Sequence, residues 1–329
     1  MTEKLLDIKR LLAAMTLSVV VAIGAMAQAD AAFSHFWIGK SYYNPAVAGD
    51  LLNSINMNLG SRMQWVDFKH APMNFYLTVD MPYKLLGQQL GVGVKAEYER
   101  IGLFTNTRIG AQIVYKRRFG KHLLSVGIQP GVFSQVFHRE KVIMPEGDDY
   151  HQGTDEAIPQ SDVSGTAFDA NVGVYLSHPN YWASLAVTHV TDPGIEMKQS
   201  REAIEYYEFN VSRGYYFSAG GNIPINNTLF DIQPSAMFAL TQNVWTAEVA
   251  GMLRYNRMLN IGAGYRWKDA VTAFIGVNLK DAYIGYAYDY PVSAISKATF
   301  GSHEVFVTYK VKIHNNEKNK NKQKSVRLM

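Results

Sequence analysis

His303 and Glu304 are the residues that most invite a chemical reading, as an acid–base pair or as two metal ligands. In an extended strand, however, neighbours point to opposite faces, so neither side chain supports the other directly. A third ligand at useful spacing is also missing. The pair therefore reads as part of a hydrogen-bond network, in a lumen or at a rim, that includes Asp289. A second cluster runs from Glu146-Gly147-Asp148-Asp149-Tyr150 to Asp155-Glu156. Hard cations want several oxygens at close range, but this spacing is not that of an EF-hand loop, and a solvated acidic loop is the plainer reading. The histidines and serines form no Gly-x-Ser-x-Gly elbow and no His-Glu-x-x-His helix. The chain has no cysteine, which removes disulfides, thiolate metal sites, a catalytic thiol and a lipobox. These residues lead us to expect no catalytic site, no metal and no cofactor, so the protein is not read as an enzyme.

The elements that position these residues begin with a leader. Lys4, Lys9 and Arg10 precede an apolar run from Leu11 that closes on Ala25-Met26-Ala27 before Gln28. A basic start, an apolar centre and small residues at −3 and −1 describe a secretory signal peptide, residues 1–27. No stretch of roughly 18 apolar residues follows, so no transmembrane helix is expected.

From about Ser54 onward the pattern has period two. Leu259, Ile261, Ala263, Tyr265 and Trp267 share one face, with Asn260, Gly262, Gly264 and Arg266 on the other. Val271, Ala273, Ile275, Val277 and Leu279 alternate with Thr272, Phe274, Gly276 and Asn278, and Val92, Val94, Ala96 and Tyr98 oppose Gly91, Gly93, Lys95 and Glu97. Such alternation specifies strands with one apolar and one small or polar face. Many segments run about 10 to 14 residues, where strands of soluble proteins centre on about 5 to 6. Aromatics stand at the ends of the apolar stripes, at Tyr98, Phe119, Tyr181-Trp182, Trp245, Tyr255, Trp267, Tyr288 and Tyr290, where rings settle at membrane–water interfaces. The expected fold is all-β: a transmembrane antiparallel outer-membrane β-barrel of about fourteen strands.

The connections test that reading. With the amino terminus in the periplasm, every second junction must be a short periplasmic turn, and these read Tyr83–Gly87, Gly120, His178-Pro179-Asn180, Pro224–Asn227, Asn256-Arg257 and Lys280-Asp281. The two longest loops, His138–Val163 and Asp192–Asn210, both fall on the alternate, extracellular set. Pro130 and Pro234 remove ladder donors inside strands and should mark bulges or bends. Within the tail, Lys318, Lys320, Lys322, Lys324 and Arg327 against Glu317 account for the whole net charge of +4. A nucleic-acid binder would carry its basic charge on the folded body, so no nucleic acid is expected as a partner.

After the leader come Ser34-His35-Phe36-Trp37 and then Tyr42-Tyr43-Asn44-Pro45-Ala46-Val47-Ala48-Gly49. The next strand supplies Arg62-Met63-Gln64-Trp65. Near the end stand Gly264-Tyr265-Arg266, Ile284-Gly285-Tyr286-Ala287-Tyr288-Asp289 and Gly301-Ser302-His303-Glu304. In order and spacing these motifs resemble the PorP/SprF family of the Bacteroidota type IX secretion system, over roughly residues 33–312. The family-motif or partner-contact candidates are Asn44, Pro45, Gly49, Arg62, Gln64, Trp65, Tyr288, Asp289, His303 and Glu304.

The resemblance implies an outer-membrane component exported through the general secretory pathway, with a role in protein secretion or gliding motility. It implies periplasmic type IX ring proteins and a peptidoglycan-binding protein as partners, and secreted adhesin or sorting-domain cargo, besides the surrounding lipid and lipopolysaccharide. The competing readings are a porin, with Arg266, Lys95 and Glu97 lining its lumen, and an outer-membrane enzyme. The domain plan is a leader at 1–27, a periplasmic or plug segment at 28–53, the barrel at 54–312 and a basic disordered tail at 313–329. Pro45 fixes φ and Gly49 permits a positive-φ turn, so 44–49 is a rigid lead-in to the barrel or a handle that meets secretion partners.

Overall fold

The computed structural model describes residues 30–142, 159, 161–198, 207–242 and 244–313. The expected leader, the acidic run 146–156 and the tail beyond Ile313 lie outside them.

The wall begins with β1 (Ser54–Met63), β2 (Met73–Leu85), β3 (Gln88–Ile101), β4 (Phe104–Phe119), β5 (His122–Phe137), β6 (Val163–His178) and β7 (Tyr181–Thr188). A separate hairpin follows, β8 (Gly194–Met197) with β9 (Tyr207–Asn210). The wall resumes with β10 (Gly214–Gly221), continued by β11 (Ile223–Pro224), and then β12 (Phe230–Thr241) and β13 (Val244–Tyr255). It ends with β14 (Leu259–Arg266), β15 (Ala270–Leu279), β16 (Ala282–Pro291) and β17 (Ser302–Lys312). Each wall strand pairs antiparallel with the next, and β17 closes on β1 from Ser54 opposite Lys312 to Met63 opposite His303. The result is a closed fourteen-stranded barrel, as the alternation predicted. Closure of β17 on β1 leaves the wall without an open edge, the condition for crossing lipid with strands.

The even strand number brings Ser54 and Lys312 to one end of the barrel, the end that also carries the tight connections at Leu86-Gly87, Gly120-Lys121 and Lys280-Asp281. The strand ends Met63, Phe137, Thr188 and Pro291, from which the longer connections leave, lie at the other. We call these the short-turn and long-loop ends. Side chains of one phase, including Val94, Ile109, Leu185, Phe217, Val249, Ile261 and Ile275, are exposed around the wall. In water such a band would cost about 25 cal/mol per Å² of apolar surface, a cost that contact with lipid removes. Most of the aromatics expected at the band edges are exposed there, among them Tyr98, Phe119, Trp245, Tyr255, Trp267 and Tyr290.

Three expectations need correction. Trp182 turns inward and packs on Tyr175 instead of facing the membrane interface. The inward face is not only small and polar, because Tyr76, Tyr175, Tyr216, Phe274, Tyr283 and Phe306 point into the lumen. Neither proline sits in a bulge. The β4–β5 register is the same on both sides of Pro130, and Pro234 lies where β10 gives way to β11 in unchanged register, so each simply interrupts a ladder. The β8–β9 hairpin within the expected 192–210 loop was also not foreseen; its Ile195 and Met197 pack on Phe133, Val163 and Val211.

Candidate functional site: a lumen filled by the amino-terminal segment

Residues 30–50 lie inside the barrel. Phe33, Phe36, Tyr42 and Tyr43 are buried against the inward Tyr76, Tyr216, Phe274 and Phe306. Edge-to-face contacts such as Phe33–Tyr76, with centroids 4.8 Å apart, orient these rings. The inward aromatics therefore form a small apolar core with this segment, inside a wall whose outside faces lipid.

The Asn-Pro-Ala-Val-Ala-Gly run is held by shape. Asn44 adopts extended backbone and its Oδ1 accepts the Ala46 N–H at 2.8 Å, capping a 3₁₀ turn over Pro45–Val47 whose first residue is the proline. Asn44 Nδ2 reaches the Val174 carbonyl at 2.9 Å and Ser184 Oγ at 2.8 Å. The turn rests on a floor of glycines from three strands. A Cβ on Gly173 would stand 2.0 Å from Asn44 Oδ1, one on Gly127 would stand 2.6 Å from the Ala46 Cα, and one on Gly91 would stand 2.0 Å from the Ala48 carbonyl oxygen. Gly49, at φ +70°, ends the run and donates its N–H to Asp80 at 2.7 Å. A side chain on the floor would lift the turn off the wall.

Nearer the long-loop end the segment is held by charge. Arg62 Nη1 bonds Asp289 Oδ2 at 2.7 Å and also Glu304 Oε1. Arg266 bonds Glu248 at 2.9 Å and lies 3.4 Å from Asp289. Ser34 enters this group from the segment: its Oγ donates to Asp289 at 2.8 Å and accepts from Arg266 Nη2 at 2.7 Å, and its N–H meets Glu304 at 2.7 Å. His35 adds a backbone and a ring contact to Glu304, each at 3.3 Å. Burying so many charges is tolerable only because each finds partners.

A third anchor holds Asp30. The His189 ring sits between two carboxylates, Asp169 at 2.7 Å on Nδ1 and Asp30 at 3.0 Å on Nε2. Arg108 bridges Glu97 at 2.8 Å and Glu99 at 3.3 Å, while Tyr42 donates to Glu97 at 2.8 Å. Lys95, Glu97 and Arg266 do face the lumen, as expected, but they are engaged by one another and by the segment.

Of the ten motif candidates, Asn44, Pro45, Gly49, Arg62, Asp289 and Glu304 are buried and meet around this segment. The other four do not join them. His303 points out of the wall and its Nδ1 bonds Tyr286 Oη at 2.6 Å, on the opposite face from Glu304. Tyr288 bonds the Phe300 carbonyl. Gln64 and Trp65 lie half-buried in the 64–72 loop, where the Gln64 N–H bonds the Pro72 carbonyl and the Trp65 N–H bonds Ser302 Oγ. That loop is tied to 292–301 through Asp67, which accepts the Phe300 N–H at 2.7 Å and the Thr299 hydroxyl at 2.9 Å. These bonds hold the Asp67 carboxyl below its ordinary range. Asp30, Asp80, Arg108, Asp169, His189 and Glu248 were missed as site residues. Ionisable side chains in the inward phase of a strand, such as Arg108, were the available signal.

The segment leaves a cavity of about 340 Å³ at the short-turn end, lined by Trp37, Lys40, Asp50, Trp182, Asn222 and Lys310 among others. The whole describes an outer-membrane barrel whose lumen is occupied by its own chain. The family model described as type IX secretion system membrane protein PorP/SprF matches residues 25–309, and the chain belongs to that family. No functionally curated protein matches the chain. Among solved structures it is similar to a Pseudomonas aeruginosa FadL homologue, with a TM-score of 0.46, 9% identity, and 82% of this chain and 93% of that one covered. It is also similar to the translocator domain of the autotransporter NalP from Neisseria meningitidis, with a TM-score of 0.42, 10% identity, and 78% and 87% covered. The Acinetobacter baumannii outer membrane protein Omp33 gives a TM-score of 0.39 at 7% identity, with 79% and 99% covered. Likenesses this distant carry no argument about what the chain does. Barrel and family together place the protein in the outer membrane as a component of the type IX secretion system.

Proposed function

We propose that the protein is a non-enzymatic docking component: a barrel closed by its own amino-terminal segment that engages periplasmic secretion or gliding machinery and aids export or surface display of cargo. Its partners in this reading are the periplasmic ring proteins and a peptidoglycan-binding protein. The short-turn end, from which the tail departs, faces the periplasm, and the long-loop end faces outward. The observation that carries the reading is the burial of the motif residues Asn44, Arg62, Asp289 and Glu304 around residues 30–50. A general diffusion pore has no use for such a filling, because the inward charges that would select solutes are spent holding the segment. An enzymatic reading of His303–Glu304 loses support from their position on opposite sides of the wall.

Deleting the gene should leave sorting-domain proteins inside the cell or off its surface, and a tagged copy should co-purify the periplasmic ring. Full export and display in the deletion strain would overturn the proposal. In planar bilayers the purified barrel should pass little current; large, steady porin-like conductance would favour the pore.

A further inference from the structure

At the short-turn mouth the acidic groups are used internally. Asp80 accepts from the Gly49 N–H at 2.7 Å and Asn56 Nδ2 at 3.2 Å, and Asp50 accepts from the Tyr175 hydroxyl at 3.4 Å. Asp231 pairs with Arg254 at 2.7 Å and Asp281 with Lys312 at 3.1 Å. Cations exceed these acids. The side chains of Lys84, Arg118 and Lys310 are exposed and have no hydrogen-bond or ion-pair partner among the described residues. Lys121, Arg257 and Lys280 stand exposed on the turns beside them.

The strand phase says where the three free cations point. Lys84 comes four residues after buried Asp80, Arg118 two after buried Lys116, and Lys310 two after buried Thr308. All three are therefore in the inward phase, over the mouth and not toward the surrounding lipid. Gln89 faces Lys84 on one side and Lys116 on the other, which sets the backbones of those two lysines about 10 Å apart across two strand spacings, with Lys116 buried below the rim. The outward positions at this level are Tyr83, Leu85, Tyr115, Phe119, Tyr309 and Val311, and Arg117 in that phase lies 5.9 Å over the Phe119 ring. Lys310 also borders the cavity that Trp37 and Trp182 line. The long-loop end is mixed: Arg213 pairs with Asp192 at 2.6 Å and Lys198 with Glu196 at 3.2 Å, while Lys69, Lys268 and Lys297 are exposed there.

We propose that the rim formed by Lys84, Arg118 and Lys310 is a docking surface for an acidic segment of a partner protein, which crosses the short-turn mouth and seats an apolar side chain in the cavity against Trp37 and Trp182. This rests on the docking reading above and gives it a surface and a chemistry. Anionic lipid headgroups fit Lys84, Arg118 and Lys310 less well, because these three sit in the phase that lipid does not touch, whereas Arg117 faces outward. Complementary charge at such a rim steers association and makes it salt-sensitive.

The test uses the full chain in detergent and a Lys84→Glu, Arg118→Glu, Lys310→Glu variant, each checked for the heat-modifiable gel mobility of a folded barrel. A matched Lys69→Glu, Lys268→Glu, Lys297→Glu variant reverses exposed cations at the long-loop end. The probes are a fluorescein-labelled oligo-glutamate peptide, read by anisotropy, and phosphatidylglycerol vesicles, read by flotation. The expected result is peptide binding that weakens in high salt and falls by roughly tenfold or more in the rim variant only, with vesicle binding unchanged. Equal losses in both variants, no peptide binding by the unaltered chain, or vesicle binding that alone responds to the rim changes would overturn the proposal. In cells, a rim variant that still exports sorting-domain cargo and still retains its ring partners, while the gene deletion does not export, sinks the rim proposal and spares the docking role. A deletion strain with normal export sinks the docking role, whatever the peptide does.

Discussion

The two main anchors of the amino-terminal segment work by different physics. Around Ser34, two arginines and three carboxylates converge with almost no exposure, and the interaction depends on charge being matched inside the lumen. Around Asn44 the wall supplies Gly91, Gly127 and Gly173, and the interaction depends on side chains being absent. An ionic clamp tolerates small shifts, because long arginines follow their partners, but it fails when one charge is removed. A glycine floor tolerates no added atom, since close-packed interiors have nowhere to put one. One anchor thus guards composition and the other guards position.

Arg62→Met should do the most damage, costing about 3–5 kcal/mol because Asp289 and Glu304 would stay buried without their shared cation. Urea unfolding followed by tryptophan fluorescence measures this, and a rise in bilayer conductance would report release of the segment. Gly173→Val should cost about 1–3 kcal/mol by overpacking. If the valine costs more than the methionine, the floor and not the clamp is the dominant anchor. The comparison is sharpened by Gly173→Ala with Asn44→Ala: the pair should be less harmful than the sum of its parts, by about 0.5–3 kcal/mol, because one change removes the atom that the other displaces.

Ser34→Ala should cost about 1–3 kcal/mol, since the arginine and aspartate lose only the hydroxyl that links them to the segment. The smallest effect belongs to pH. Asp67 titrates below its ordinary value when folded, so its ties to Thr299 and Phe300 are in full effect above that ordinary value and are lost as pH falls through the lowered one. The protection of the Phe300 amide against exchange, relative to the intrinsic rate at each pH, should therefore fall on acidification below about pH 4, and Asp67→Asn should remove most of that dependence.

Much of the wall could be read before the structure. Val94 against Lys95, or Ile261 against Asn260, states a strand with two different faces, and the expected count of about fourteen strands is the count found. The harder part was what fills the lumen. Phe274 sits in the polar phase of its strand, and nothing local says that it packs on Trp37. Trp182 sits beside Tyr181 at a strand end, and only the cation and rings around it show that it turned inward, its ring 4.7 Å from Lys40 Nζ. The motif residues were visible as motifs, yet a string of letters gives no reason for Arg62, Asp289 and Glu304 to meet Ser34.

Residue order alone determined which side chains face lipid and which face the interior, because the pleat alternates them one by one. Tertiary structure decided which interior side chains share a level, since that depends on the register and closure of fourteen strands and on a segment threaded between them. Neighbours in the lumen are up to 270 residues apart in the chain, as Ser34 and Glu304 are, and local periodicity carries no information at that range.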